Sequence, residues 1–159
     1  MDRKLQDKQR QIGKILIDKG LITSRQLEEV LQEQRQTREF LGEILVRKNY
    51  IKEKELFQAI SEQFDIPFVS LKDKYIDWGL ARQFSASLIF DHKCFPLKKD
   101  NWTVTVAITN PLDVWAFKKA EEEARGLRLK RVLVSNQDMQ EVIQRYREYL
   151  RGNITKLFK

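Results

Sequence analysis

One stretch of the chain occurs twice. Residues 11–34, QIGKILIDKGLITSRQLEEVLQEQ, align with residues 40–63, FLGEILVRKNYIKEKELFQAISEQ, giving 8 identities, and most of the other apolar positions stay apolar. Such a repeat constrains the fold more than any bulk property, because both copies must build the same supersecondary unit. The identities include Gly13/Gly42, Ile15/Ile44, Leu16/Leu45, Ile22/Ile51, Leu27/Leu56 and Gln34/Gln63, and they mark two amphipathic helices around a short turn. In the first copy Gly20 stands where a helix ends in a positive-φ residue. Thr23 can cap the next helix, Gln26 holds the capping-box position, and Ile22 and Leu27 are placed as a hydrophobic staple. The second copy keeps Ile51, Leu56 and a box residue, Glu55, but Lys52 replaces the capping hydroxyl. That turn is expected to be weaker by about 1 kcal/mol.

These residues carry a resemblance. The pair is similar to the tandem 24-residue motif R-L-G-x-x-L-V-x-x-G-x-I-x-x-x-x-L-x-x-A-L-x-x-Q of the MshEN-like N-terminal domain of type II secretion and type IV pilus assembly ATPases. The spacer, residues 35–39, has the five-residue length seen between the motifs of that family.

The rest of the chain reads as a second subdomain. In FDIPFV, residues 64–69, Pro67 ends the fourth helix, since proline cannot donate and biases its predecessor away from the α region. Residues 77–84 and 85–91 read as two short helices carrying Trp78, Leu80, Phe84, Leu88 and Ile89, mostly core. Then the apolar period changes from helical to alternating. Residues 93–98 and 102–109 form a hairpin around Lys99-Asp100-Asn101, with Val104, Val106 and Ile108 on one face. A helix over 112–125, with Val114, Phe117, Ala120 and Ala124 along one side, closes at Gly126. A third strand over 129–134 follows, and Ser135 or Asn136 caps a last helix carrying Met139, Val142, Ile143, Tyr146 and Leu150.

The expected fold class is therefore α+β: a four-helix N-terminal subdomain of two repeated helix-turn-helix motifs over 1–64, a linker with short helices over 65–92, a ββαβα subdomain over 93–150, and a linker or frayed tail over 151–159. This second half also resembles the family, through Phe95-Pro96-Leu97, a V-x-V-A strand and Asn110-Pro111-Leu112-Asp113. It departs at Ser85, where the family often has proline.

Composition narrows the chemistry. The 159 residues carry 30 Lys+Arg against 23 Asp+Glu, a formal net charge of +7, which favours acidic partners in general. Basic and acidic residues alternate along most helices, however, so solvated helix faces account for most of the charge. The single cysteine, Cys94, excludes an intramolecular disulfide framework and suits a reducing compartment. No apolar run approaches the roughly 20 residues that cross a bilayer, and the polar start has no signal-peptide core. A cytoplasmic chain is expected, peripheral at the inner membrane through a protein partner.

No G-x-x-x-x-G-K-[ST] loop is present, so the chain does not cleave ATP by that route. His92 and Cys94 stand two apart, but a nucleophile pair needs an orienting third group and a metal site needs further ligands. Neither catalysis, metal nor cofactor is expected. Glu121-Glu122-Glu123 reads as an exposed helix face.

The resemblance implies two non-enzymatic roles. One is docking: the domain holds a motor, the secretion or pilus ATPase core, against the cytoplasmic part of an inner-membrane platform protein. The polar leading segment around Leu5 could order on such a partner. The other is sensing, since the MshEN-like subset binds cyclic di-GMP through the two motifs. Carried onto this chain, that site comprises Arg10, Gln11, Ile12, Gly13, Gly20, Leu27, Leu31 and Gln34 from the first copy. From the second it takes Phe40, Leu41, Gly42, Asn49, Leu56, Ile60 and Gln63. Its weak point is the head of each motif, where arginine is replaced by Gln11 and Phe40. Arg10 and Arg38 lie one and two residues away, and a one-residue shift on a helix turns a side chain by about 100°. Losing two charge-assisted contacts would weaken binding by roughly 3 to 6 kcal/mol. The alternative is that the motifs serve packing and turn geometry alone.

A third reading is a small DNA-binding protein, suggested by the helix-turn-helix units and a pI near 9.5. Against it, residues 24–34 offer Arg25, Gln26 and Gln32 but also Glu28, Glu29 and Glu33, which oppose phosphate approach, so nucleic acid is an unfavoured partner.

Overall fold

The computed structural model describes residues 3–158, apart from the side chains of residues 4, 5 and 8. Leu5, read above as part of a partner-ordered segment, therefore has its side chain outside the described residues. The chain divides into two compact units, Met1–Ile66 and Pro67–Lys159.

The first unit is helical, and its four helices follow the repeat. α1 (Arg3–Asp18) and α2 (Ser24–Thr37) come from the first copy, α3 (Leu41–Arg47) and α4 (Glu53–Phe64) from the second. Gly20 ends the first hairpin's leading helix at φ 70°, and Asn49 takes its place in the second copy at φ 57°. Thr23 caps α2 as its sequence context predicts. Its hydroxyl accepts from Gln26 N at 3.2 Å, and the Gln26 carboxamide oxygen accepts from Thr23 N at 2.8 Å. In the second copy only half of that box forms: Lys52 provides no side-chain cap, and Glu55 Oε2 accepts from Lys52 N at 3.2 Å. α1 packs against α4 and α2 against α3, so each helix of one copy meets the opposite helix of the other. Leu16, Val30, Ile44 and Leu45 are fully buried between them.

The second unit starts as an extended segment in which Phe68 bridges Leu133 and Val69 N donates to Leu133 O. α5 (Trp78–Ala81) and a π-helical turn (Ser87–Asp91) follow, the latter closed by His92 N donating to Ser87 O. β1 (Cys94–Lys99) and β2 (Thr103–Ile108) pair antiparallel, with a bulge between Pro96 and Lys98. Their turn is held by the Asp100 carboxylate, which accepts from Trp102 N and Thr103 N, both at 2.8 Å. α6 (Val114–Glu123) crosses over to β3 (Arg128–Leu133), which lies parallel to β2, so the sheet order is β1-β2-β3. α7 (Asn136–Leu157) is capped by Ser135. The ββαβα order and the α+β class are those expected.

Five details differ from the expectations. Helix α7 runs through Leu157, so most of residues 151–159 continue the helix rather than forming a linker. The first short helix is a single turn, and Trp78 is half-buried, edge-on to Phe95 and stacked near Tyr146. The second is the π-helical turn. Val114 is 62% exposed, because the buried stripe of α6 is Ala116, Ala120 and Ala124 at i, i+4, i+8; three small side chains there let the helix lie close to its neighbours. Finally, Glu123 is half-buried and accepts from Ser85 N at 2.9 Å, leaving Glu121 and Glu122 as the exposed pair. That bond also explains the departure at Ser85, since proline there would have no N–H to give.

Candidate functional site: an arginine-lined cleft

A cleft of about 240 Å³ opens in the helical unit, lined by Gln6, Arg10, Leu31, Gln34, Arg35 and Arg38. Local structure explains why these meet. Gln6 and Arg10 lie one turn apart on the extension of α1 that precedes the first motif, and Leu31, Gln34 and Arg35 are i, i+3, i+4 neighbours on the last turns of α2. α2 then stops because Arg38 adopts the left-handed conformation, φ 60°, with its N–H donating to Gln34 O at 2.8 Å.

Gln34 is the floor of the cleft. It is 5% exposed, and its Nε2 donates to Glu39 O at 3.0 Å and to the side chain of Gln9. Gln9 is itself 1% exposed, and its Nε2 has no partner among the described residues. The repeat equivalent of Gln34, Gln63, is exposed, because α3 begins at the motif and has no such extension.

Charge is distributed unevenly over this unit. Arg47 bonds Glu33 at 2.6 Å and Glu39 at 3.2 Å, Lys48 lies 3.0 Å from both Glu29 and Glu33, and Lys19 pairs with Glu62. The Glu29 carboxyl is held below its ordinary pKa by Lys48 and the Tyr50 hydroxyl, and that of Glu33 by Arg47 and Lys48. The same contacts push the Lys48 ammonium up to about 12. Arg10, Arg35 and Arg38, by contrast, have no carboxylate partner among the described residues. Three cations without a carboxylate partner thus line one cleft.

Of the residues expected to bind a ligand, the structure brings Arg10, Leu31 and Gln34 together here. Gln11 is exposed and does not line the cleft, and Phe40 is half-buried at the N-cap of α3. Ile12, Leu41, Leu56 and Ile60 are core residues. Gly13 faces Leu27, where an added Cβ would fall 2.5 Å from Leu27 Cδ1, and Gly42 faces Leu56 in the same way at 2.8 Å. Gly20 is an exposed turn residue; Asn49 is exposed too and lines a separate open groove with Val46, Tyr50 and Lys52. Arg35 escaped sequence reasoning because it follows the motif. Its signal was its spacing, four residues after Leu31 on the same helix.

In the second unit, Cys94 is 1% exposed and burial pushes its thiol up to about 12, so it is a packing residue. His92 Nδ1 lies 2.6 Å from Asp113 Oδ2, and its ring stacks on Trp115 at 4.1 Å. The other oxygen of Asp113 caps α6 by accepting from Ala116 N. Hence His92 anchors the start of that helix.

The MshEN domain matches residues 64–153, more than half of the chain. The chain belongs to the MshEN domain family. The match begins at Phe64, so the tandem motifs precede it. Two curated relatives carrying this similarity are type IV pilus assembly ATPases named PilB. The one from Myxococcus xanthus is 24% identical over 135 residues, 85% of this chain and 24% of the relative. The one from Thermus thermophilus is 30% identical over 115 residues, 71% of this chain and 13% of the relative. The MshEN chain thus spans a quarter or less of the length of the relatives it matches. Among solved structures, MshE with cdg superposes with a TM-score of 0.76 at 19% identity, covering 85% of this chain and 97% of that one. The N-terminal domain of XpsE gives 0.65 at 15% identity, covering 84% and 92%. These likenesses establish the MshEN fold.

Proposed function

We propose that this chain is a non-catalytic docking and regulatory domain of a type IV pilus or type II secretion ATPase, coupling the motor to the cytoplasmic part of an inner-membrane platform protein. The supporting observation is the family membership: the MshEN domain matches residues 64–153, and 85% of this chain corresponds to 24% of a pilus assembly ATPase. ATP hydrolysis belongs in this reading to a separate ATPase core. No helix among the described residues is long and apolar enough to cross a membrane. Calorimetry of the chain against the cytoplasmic part of a platform protein tests it. Saturable binding at micromolar concentrations is expected, and no heat at any accessible concentration overturns the docking role.

A second reading, cyclic di-GMP sensing, is favoured by one specific feature. Arg10, Leu31 and Gln34 of the expected ligand set line a cleft whose cations have no carboxylate partner among the described residues. A solved neighbour, MshE, was obtained with cdg. Titration of the chain with cyclic di-GMP should give saturable micromolar binding, and silence up to millimolar ligand returns the motifs to a packing role.

A further inference from the structure

We infer that the open edge of β3, between Arg128 and Arg131, receives an extended acidic segment of a protein partner as an added strand. This rests on the docking reading above and assigns the surface that carries it and the chemistry of the segment received.

Backbone pairing supplies the first argument. Arg128 N donates to Trp102 O and Val134 N to Ile108 O, so the backbone groups of Arg128, Lys130, Val132 and Val134 face β2. Leu133 faces the other way: its N–H donates to Pro67 O at 2.7 Å and its carbonyl accepts from Val69 N at 2.9 Å. By the same alternation Leu129 and Arg131 face outward, and neither has a backbone partner there among the described residues. The chain's own segment at Phe68 thus closes one end of the edge and leaves the other open. A row of unpaired donors and acceptors at strand spacing is matched by another backbone, and neither a lipid headgroup nor a phosphate chain offers that alternation.

Charge supplies the second argument and fixes the chemistry of the segment. Lys98, Thr105 and Lys130 share one register row across the sheet, and Thr103 and Arg128 form the next row on the same face. Lys98, Arg128 and Lys130 are exposed, and none forms an ion pair among the described residues. The Asp100 carboxylate, near Lys98, is occupied by its own turn, accepting from Trp102 N, Thr103 N and the Thr103 hydroxyl. Carboxylates on this face of an added strand become cross-strand neighbours of Arg128 and Lys130.

The opposite face of the edge is apolar. There Arg131 lies over the Phe117 ring of α6, 4.2 Å from its centroid. The added strand therefore alternates, acidic toward Arg128 and Lys130 and apolar toward Phe117.

The test combines amide hydrogen exchange by nuclear magnetic resonance with calorimetry on the full chain. The probe is a short end-capped peptide of alternating glutamate and valine, with its lysine and valine counterpart as control. At saturating acidic peptide the Leu129 and Arg131 amides should exchange more slowly, while those of Arg128 and Lys130, already bonded to β2, stay as they were. The lysine peptide should bind roughly tenfold more weakly or worse. Arg128→Glu/Lys130→Glu, checked for an unchanged melting temperature, should reverse that preference, and Arg128→Gln/Lys130→Gln should abolish it. Unchanged exchange at Leu129 and Arg131, or an unreversed preference in the folded Glu variant, overturns the inference and leaves the cations as guards against edge pairing. Binding of phosphatidylglycerol vesicles or duplex DNA that needs Arg128 and Lys130, without slowed exchange by the peptide, overturns it in favour of a phosphate surface. If the Glu variant does not fold, the Gln pair decides, and a preference kept there overturns the inference. Titration with the cytoplasmic part of a platform protein separates this inference from the docking reading. Equal affinity of that protein for the wild type and the Gln pair overturns the inference alone, and no binding to the wild type overturns both.

Discussion

Lys48 Nζ lies 3.0 Å from Glu33 Oε2, and their repeat equivalents Lys19 and Glu62 form the same pair. Each lysine belongs to one copy and its glutamate to the other. Together with α1 packing on α4 and α2 on α3, this shows the copies exchanging helices about an approximate twofold relation. Lysine and glutamate are among the identities between the copies because each serves the same inter-copy bridge.

A pH dependence follows, with its sign set by the shifts. Glu29, through Lys48 first, and Glu33, through Arg47 first, are lowered, so their contribution is present above the ordinary carboxylate pKa and is lost as acid titrates through the folded values. Lys48 is raised to about 12, so its contribution is complete below the ordinary lysine pKa and vanishes as pH climbs through about 12. Urea unfolding from pH 7 to 3 should show stability falling on the acid side. A Glu29→Gln/Glu33→Gln variant should be less stable at pH 7 and flatter in acid, and an equal acid slope in both proteins would show that other carboxylates carry the effect.

The glycine of each motif sits against the leucine of the same motif. Gly13→Ala would press a methyl on Leu27, and Gly42→Ala would press one on Leu56. Overpacking costs about 1 to 3 kcal/mol, offset by up to about 1 kcal/mol of helix propensity. A net loss of about 1 kcal/mol is expected in denaturant melts. A double-mutant cycle with Leu27→Ala should show favourable coupling, since the smaller side chain makes room; strict additivity would contradict the contact.

Capping differs between the copies and should respond oppositely to substitution. Thr23→Ala removes the hydroxyl that accepts from Gln26 N and should cost about 1 kcal/mol. Lys52→Thr supplies the missing acceptor and should stabilise by about 0.5 to 1 kcal/mol, read as a raised melting temperature.

The Cys94 thiol should stay unreactive toward an aromatic disulfide reagent at pH 8 in the native chain and react at once in 6 M guanidinium. Burial keeps it protonated there, with a pKa near 12. Rapid native labelling would mean that the strand opens locally.

Much was legible in the sequence because it was local. The repeat, the Thr23 box, Gly20 as a turn residue and the ββαβα order all depend on neighbours within a few residues, where periodicity and capping chemistry act. The errors arose where contacts come from afar. Val114 fitted a helical stripe, but the packing of α6 selected Ala116, Ala120 and Ala124. Glu123 looked like one carboxylate of an exposed run until Ser85 N claimed it.

The candidate site divides in the same way. The sequence alone determined that two helix-turn-helix copies exist and that both motif heads lack arginine. It also put Arg10 among the expected ligand residues and placed Arg10 and Arg38 one and two residues from the motif heads. Only the tertiary structure decided that these two, with Arg35, line one cleft, because α1 and α2 bring together residues about 25 positions apart and Arg38 leaves the helix in a left-handed turn. Register on a single helix is a local property; convergence of charge is set by how helices pack.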